Sequence, residues 1–390
     1  MFSRRSFLRC LYGGVLLLFL PSCDQPETEL ALETLGPILP YIQNVKTDRV
    51  TVLWQSADKE IGTVEVYEDN GSLVTKVSDS PVSFHEIEIR DLSEDTLYYY
   101  QAKEGKIRVG PLRSFRTALP EGSKTAFSFI AIGDSGYGTQ PQYKVAAQML
   151  EYASNASFLI HMGDVIYDGY EGEYRSKYFE PYRSFIHRIP FYPVIGDHDL
   201  VDDGKPFYKY FSLPKNNIEG SEDYFSFNFG NALFIGLNSN TIINSSNIDS
   251  QVQFLERTLQ ESTQTWKFIY LSHSILTTAL GRGSKPSIGR IVSPIAERFG
   301  VQIIFGGDVH AYERFFPRVD YTENGDPVTY VTTGGGGADL RDLAGSPDEA
   351  VGKSAYHFVL ININDMTLTG TAIDFNGNTI DSFELSPTGN

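Results

Sequence analysis

An α/β fold preceded by a β-sandwich is what this 390-residue sequence predicts, and three observations carry that prediction. Five islands occur in the order GDSGYG (133–138), GDVIYDG (163–169), GDHD (196–199), LSHS (271–274) and GGDVHAYER (306–314), each after an apolar, β-prone run. The first two islands are separated by the length of one strand–helix–strand unit, so their strands should be parallel neighbours. Ahead of them, residues 37–120 carry only short strands between turn clusters.

Taken in order, the chain opens with a leader. Residues 3–9 (SRRSFLR) are basic, residues 13–20 (GGVLLLFL) are apolar, and PSC follows. That pattern reads as an export signal over residues 1–22, too short to span a bilayer. Arg4-Arg5 before Phe7-Leu8 resembles a twin-arginine signal. LPSC (20–23) resembles a lipobox, although Pro21 departs from its usual pattern, and implies a lipid on Cys23 that tethers the protein to a membrane. Together these imply export to the periplasm or cell surface, with residues 23–36 as a polar tether.

Residues 49–56, 63–68, 72–78, 83–92, 97–104 and 112–117 then read as strands. Trp54 and Tyr98–Tyr100 resemble the core Trp and tyrosine corner of a fibronectin type III domain, expected over 37–120. His85 lies on one of these strands and reads as structural. Pro120-Glu121-Gly122 is the expected boundary, with a second domain over 123–390. There the rhythm alternates. Strands are expected at 126–134, 158–164, 191–197, 232–238, 267–273, 302–308 and 329–334, and helices at 141–154, 251–262 and 288–300. Residues 355–385 read as closing antiparallel strands. Gly334–Gly337 reads as a tight turn; no Walker lysine follows it.

Composition narrows the chemistry. The formal charge is −17, and loss of residues 1–22, whose only charges are Arg4, Arg5 and Arg9, takes it to −20. Nucleic acid is therefore not an expected partner, because phosphate-backbone binding needs a basic face. An anionic substrate would be attracted only by local cations. Cys10 and Cys23 both precede residue 24, so the folded body has neither a disulfide nor a thiolate metal site. Any metal must be held by nitrogen and oxygen.

Asp and His side chains at strand ends converge in the crevice beyond the strand carboxyl ends. Several together can hold two metal ions, the arrangement used for attack on phosphorus. Singly, each Asp could be a turn residue and each His a packed one; His161, His187 and His357 are read that way. As a set, the islands resemble the calcineurin-like metallophosphoesterases. Tyr167, the final AYER and the sandwich in front narrow the resemblance to purple acid phosphatases, over nearly all of the mature chain. The resemblance implies a mixed-sheet α/β sandwich and a binuclear centre. Asp134, Asp164, Tyr167 and His310 would hold the first metal, and Asp164 would bridge to a second held by Asp197, His273 and Asp308. His198 would protonate the leaving group and Asp199 would orient it.

Two positions depart from the family: Asp197 stands for Asn and Asp308 for His. Both add a carboxylate to the second site. Fe³⁺ is expected at the first site beside the phenolate, and at the second a hard divalent ion, Mn²⁺, Ca²⁺ or Mg²⁺ ahead of Zn²⁺. The added charge also points to a working pH nearer neutral or alkaline. The resulting expectation is a hydrolase of small phosphate monoesters, in which water activated by the metals attacks phosphorus in line. Arg282 and Lys285, in 274–290, are expected at the substrate rim. A phosphodiesterase or alkaline phosphatase on the same scaffold is the nearest alternative. An exported binding protein without activity is the alternative of another class; His198 and Asp199 weigh against it.

Overall fold

The computed structural model describes residues 38–244 and 248–387. The expected export signal, the tether and Cys23 lie outside the described residues.

Five strands come first: β1 (Tyr41–Gln43), β2 (Val50–Tyr67), β3 (Leu73–Ile89), β4 (Leu97–Glu104) and β5 (Ile107–Arg116). They pair antiparallel in the order β1-β2-β4-β5, with β3 also on β2. Stretches 49–56 and 63–68, expected as separate strands, run together as β2, and 72–78 with 83–92 as β3. Register shifts at Gln55/Glu60 and Ile61/Thr63 bend the pair without ending it. Gly62 sits at the bend because a Cβ there would meet His85 Nδ1 at 2.3 Å and Trp54 at 2.7 Å. Val50, Val52 and Trp54 face a core shared with Val64, Ile87, Tyr100 and Phe115. Leu53, on the opposite face of β2, joins the larger core of the following strands.

His85 is fully buried and stacks on Trp54 at 4.2 Å. Its Nδ1 lies 2.7 Å from Asp79 and its Nε2 2.8 Å from Ser56 Oγ, an apparent Ser-His-Asp chain. Ser56, however, is buried and donates to Glu104 at 2.5 Å. With its proton engaged and its oxygen covered, it is no nucleophile. The chain locks the bend.

Two mixed sheets follow. In the first, β6 (Phe127–Ile132), β7 (Ala156–His161) and β8 (Phe191–Pro193) run parallel. Beside β6 lie the antiparallel β16 (His357–Asn364), β17 (Thr367–Asp374) and β18 (Thr379–Leu385). The expected parallel neighbours and closing strands are both present. The second sheet contains β9 (Phe225–Phe229), β10 (Ala232–Leu237), β11 (Trp266–His273), β12 (Ile303–Gly307), β13 (Tyr312–Phe315), β14 (Thr329–Thr333) and β15 (Glu349–Lys353). Its order is β15-β13-β14-β12-β11-β10-β9, with β10, β11, β12 and β14 parallel. Strands β9, β13 and β15 were not anticipated from sequence.

An aromatic layer fills the space between the sheets. Phe129 of β6 meets Phe234, Phe268 and Phe305 edge-on at 5.0, 5.6 and 6.3 Å. Such pairs contribute ~0.5–1.5 kcal/mol each beyond area burial. Helix α1 (Gln140–Ala153) adds Val145, Ala146 and Met149 to the same core. On the outer side of the second sheet, α5 (Ile248–Glu261) and α6 (Pro286–Arg298) pack Phe254, Leu255, Ile288 and Val292 onto Leu233, Ile269 and Ile304. Three shorter helices, α2 (Glu180–Tyr182), α3 (Lys205–Tyr210) and α4 (Ser239–Ile243), lie in the loops. The N-terminal strands are fastened to this body by tyrosine hydroxyls: Tyr41 to Tyr210 O at 2.7 Å, Tyr100 to His187 O at 2.8 Å, Tyr192 to Val45 O at 2.9 Å.

Candidate metal centre

Parallel strands deliver their carboxyl ends to one edge. Asp134, Asp164 and Asp197 follow β6, β7 and β8; His273 ends β11, Asp308 follows β12, and His310 precedes β13. Three donors thus come from each sheet. Asp134, Asp164 and Asp308 have φ of 55°, 53° and 63°, a left-handed turn that Asp tolerates better than most residues. Each strand therefore stops and presents its carboxylate at the same point. The glycines of the islands are needed for space. A Cβ on Gly196 would meet Asp164 Oδ1 at 2.0 Å, and one on Gly307 would meet Asp134 Oδ2 at 2.7 Å.

The donors gather in three sets, two of which share Asp197. Tyr167 Oη lies 2.8 Å from His310 Nε2, which lies 3.6 Å from Asp134 Oδ1. Single donor atoms of Asp197, His273 and Asp308 fall within 4.8 Å of one another, as do those of Asp164, Asp197 and His198. The groups are tied together: Asp308 N donates to Asp134 at 3.0 Å, and His198 N to Asp164 at 3.0 Å. The His198 ring stacks on Tyr167 at 3.9 Å, half-buried at the mouth.

Burial and crowding set the electrostatics. Asp134, Asp164, Asp308 and His310 are almost wholly buried. Desolvation pushes Asp134 well above the usual carboxylate range, and Asp164 and Asp308 push it further. Desolvation raises Asp164 in the same way, with Asp199 and Asp197 adding to it. Burial also raises the Tyr167 phenol, reinforced by Asp134 and Asp164. His273 and His310 are lowered by burial and so offer neutral lone pairs. Among the described residues no Lys or Arg pairs with Asp134 or Asp164, so this cluster of oxygen and imidazole donors calls for cations. The donor set fits two hard or borderline ions.

Partners absent from the sequence reading orient the histidines. Ser239 Oγ sits 2.8 Å from His273 Nδ1, and the Asp339 carbonyl 2.5 Å from His310 Nδ1, so Nε2 of each faces the donors. No motif marked either residue. Asp199 requires a correction. It was expected to orient His198, yet its buried carboxylate accepts Val165 N at 3.2 Å, Ile166 N at 3.0 Å and Gly196 N at 3.0 Å. Burial raises it to about 6 despite those donors. It is a positioning residue that ties the Asp164 loop to the 196–198 turn. The Gly334–Gly337 run is likewise not a tight turn. Gly336 N bonds Gly133 O and Ala338 N bonds Asp134 O, both at 3.0 Å, and a Cβ on Gly334 would meet Asp134 at 2.6 Å. The run lies flat against the Asp134 loop. His161 bonds Ser135 Oγ at 2.9 Å, His187 Nδ1 lies 3.4 Å from Arg183 O and His357 Nδ1 lies 2.9 Å from Ala355 O; none joins the donor groups.

Two layered mixed sheets bring Asp, His and Tyr donors to a shared edge, and residues 127–312 match the family model described as calcineurin-like phosphoesterase. The chain is also similar in sequence to purple acid phosphatases. Purple acid phosphatase 13 of Arabidopsis thaliana is 30% identical over 177 residues, covering 43% of this chain and 32% of that protein, so the aligned part spans about a third of the relative. Acid phosphatase type 7 of Danio rerio is 23% identical over 323 residues, covering 72% of this chain and 71% of the relative. In fold, the chain is similar to a purple acid phosphatase from yellow lupin (Lupinus luteus), with a TM-score of 0.79 at 18% identity over 90% of this chain and 74% of that one. It is also similar to PhoD, with a TM-score of 0.69 at 15% identity over 90% and 92% of the two chains.

Proposed function

We propose that this protein is a binuclear-metal phosphatase acting on small phosphate monoesters. The observation that carries the reading is the convergence of Asp134, Asp164 and Asp197 from one sheet with His273, Asp308 and His310 from the other at one edge, all buried except the exposed Asp197. Asp134, Asp164, Tyr167 and His310 would hold a first ion, read as Fe³⁺. Asp164, Asp197, His273 and Asp308 would hold a hard divalent one. Bound there, two ions supply Lewis-acid activation of water and neutralise charge building on phosphorus. The chain does the rest. His198, anchored through its backbone to Asp164 and stacked on Tyr167, stands at the mouth to give a proton to the leaving oxygen. Tyr137 packs edge-on against the Tyr167 ring at 4.7 Å.

The same proposal includes export by the twin-arginine route, a lipid on Cys23 and a fibronectin type III-like domain over 37–120. Carboxylates at 197 and 308 support a second reading, a phosphatase or phosphodiesterase working nearer neutral or alkaline pH. Elemental analysis with a visible spectrum tests the centre. Two metals per chain are expected, with a tyrosinate–iron absorption band that disappears in Tyr167→Phe. Metal-free protein that hydrolyses phosphate esters, or a band that survives the substitution, overturns the assignment.

A further inference from the structure

Arg282 and Lys285 lie on the loop between β11 and α6, and both reach into the donor cluster. Arg282 Nη1 stands 3.1 Å from Asp308 Oδ1 and Lys285 Nζ 3.6 Å from Asp308 Oδ2. Their side chains are 30% and 27% exposed, so each is partly open to solvent. The loop carrying them is built rather than loose. Glu313, fully buried on β13, accepts Thr277 Oγ1 at 2.5 Å, Thr278 N at 2.6 Å and Thr278 Oγ1 at 2.7 Å. Leu280 N bonds Asp342 O at 2.8 Å, and Lys285 N bonds Ile275 O at 3.1 Å. Ala279 packs with Val309 and Ala311, the neighbours of Asp308 and His310. A buried carboxylate thus holds the loop so that two cations meet at one ligand.

We infer that Arg282 and Lys285 form a clamp for the dianionic phosphoryl group and determine specificity for monoesters over diesters. This rests on the reading of the site as a phosphatase. Asp308 shares its cluster with Asp197 and His273, so a cation taken up there draws on the carboxylate that the two side chains now face. Their N–H donors then point to the nearest anion at the mouth. On a surface this acidic they are among the local cations that attract a phosphate. An Arg fork and a Lys ammonium match the oxygens and double charge of a terminal phosphoryl group. A diester has one charge and two free oxygens, and its second substituent would compete for the space the clamp occupies.

The test is Arg282→Met with Lys285→Met in the metal-loaded full chain, read three ways. Metal content by elemental analysis should stay at the wild-type value. The calorimetric dissociation constant for inorganic phosphate should rise by ~10- to 100-fold, the loss expected for charge-assisted hydrogen bonds. kcat/KM should fall by a similar factor for p-nitrophenyl phosphate and by less than about threefold for its bis ester, with partial recovery in Arg282→Lys. Unchanged phosphate affinity, a parallel fall for both esters, or loss of a metal would each overturn the clamp. A wild-type protein that hydrolyses neither ester would sink the phosphatase reading instead, while phosphate calorimetry still judges the clamp.

Discussion

Asp199→Ala separates two roles that the geometry makes distinct. The wild-type carboxylate is buried and accepts three backbone N–H groups at 3.0–3.2 Å, from Val165, Ile166 and Gly196. A hydrogen bond to a charged group contributes ~1.5–3 kcal/mol, and a buried donor left without a partner costs ~1–3 kcal/mol. The three act through one side chain and the loop can relax, so the sum is not additive. Truncation should cost ~4 kcal/mol, about a thousandfold in the folding equilibrium. Asp199→Asn keeps one acceptor and should lose about half of that. Urea unfolding of the metal-loaded protein measures both. Because the carboxylate joins the Asp164 loop to the Asp197 turn, metal affinity should also fall, by ~10- to 100-fold. An Asp199→Ala protein that unfolds with the wild type and keeps its metals, yet loses activity only on esters with poor leaving groups, would refute the positioning role.

Further outcomes follow from the same contacts. His85→Ala strands Asp79 and the Ser56–Glu104 pair and opens a space against Trp54, so the N-terminal strands should lose ~2–4 kcal/mol, seen as an earlier thermal transition. Burial depresses His357 to about 4 and His161 to about 3, against an ordinary value near 6.5. Both are neutral in folded and unfolded chains above that value, so their stability contribution is complete there. As pH falls from 6.5 toward 4 the unfolded chain takes up protons first, and each group should remove about 3 kcal/mol by pH 4. A Tm-against-pH slope that His357→Gln leaves unchanged would contradict this. Chelation should lower Tm in proportion to the logarithm of free metal, about 4 kcal/mol at a thousandfold excess over Kd. A Tm indifferent to metal would mean that the buried carboxylates are stable without cations.

The strand ends were legible because an apolar run that stops at Asp or His says both where a strand finishes and what it presents. The parallel pairing of β6 and β7 followed from chain length alone. Strand β15 (EAVGK) has no fully buried residue and owes its form to pairing with β13, so no periodicity announced it. Strand β13 overlaps the island that was read as chemistry. Ser239 and Asp339 hold the histidines by one hydroxyl and one backbone carbonyl, groups that occur everywhere in a chain. Asp199 misled because it follows His198 in sequence while its carboxylate meets the backbone of 165, 166 and 196. Adjacency in the chain is no guide to where a short side chain finds donors. Arg282 and Lys285 were placed at the rim from position alone; their meeting at Asp308 required the fold.

Four of the proposed ligands hang from one layer and three from the other, and Asp134 and Asp308 are joined directly across the seam. An ion seated there is a rivet between plates, and neither plate offers a complete socket before the aromatic filling has closed. An ion entering there would find its full set of donors only once the two sheets have packed.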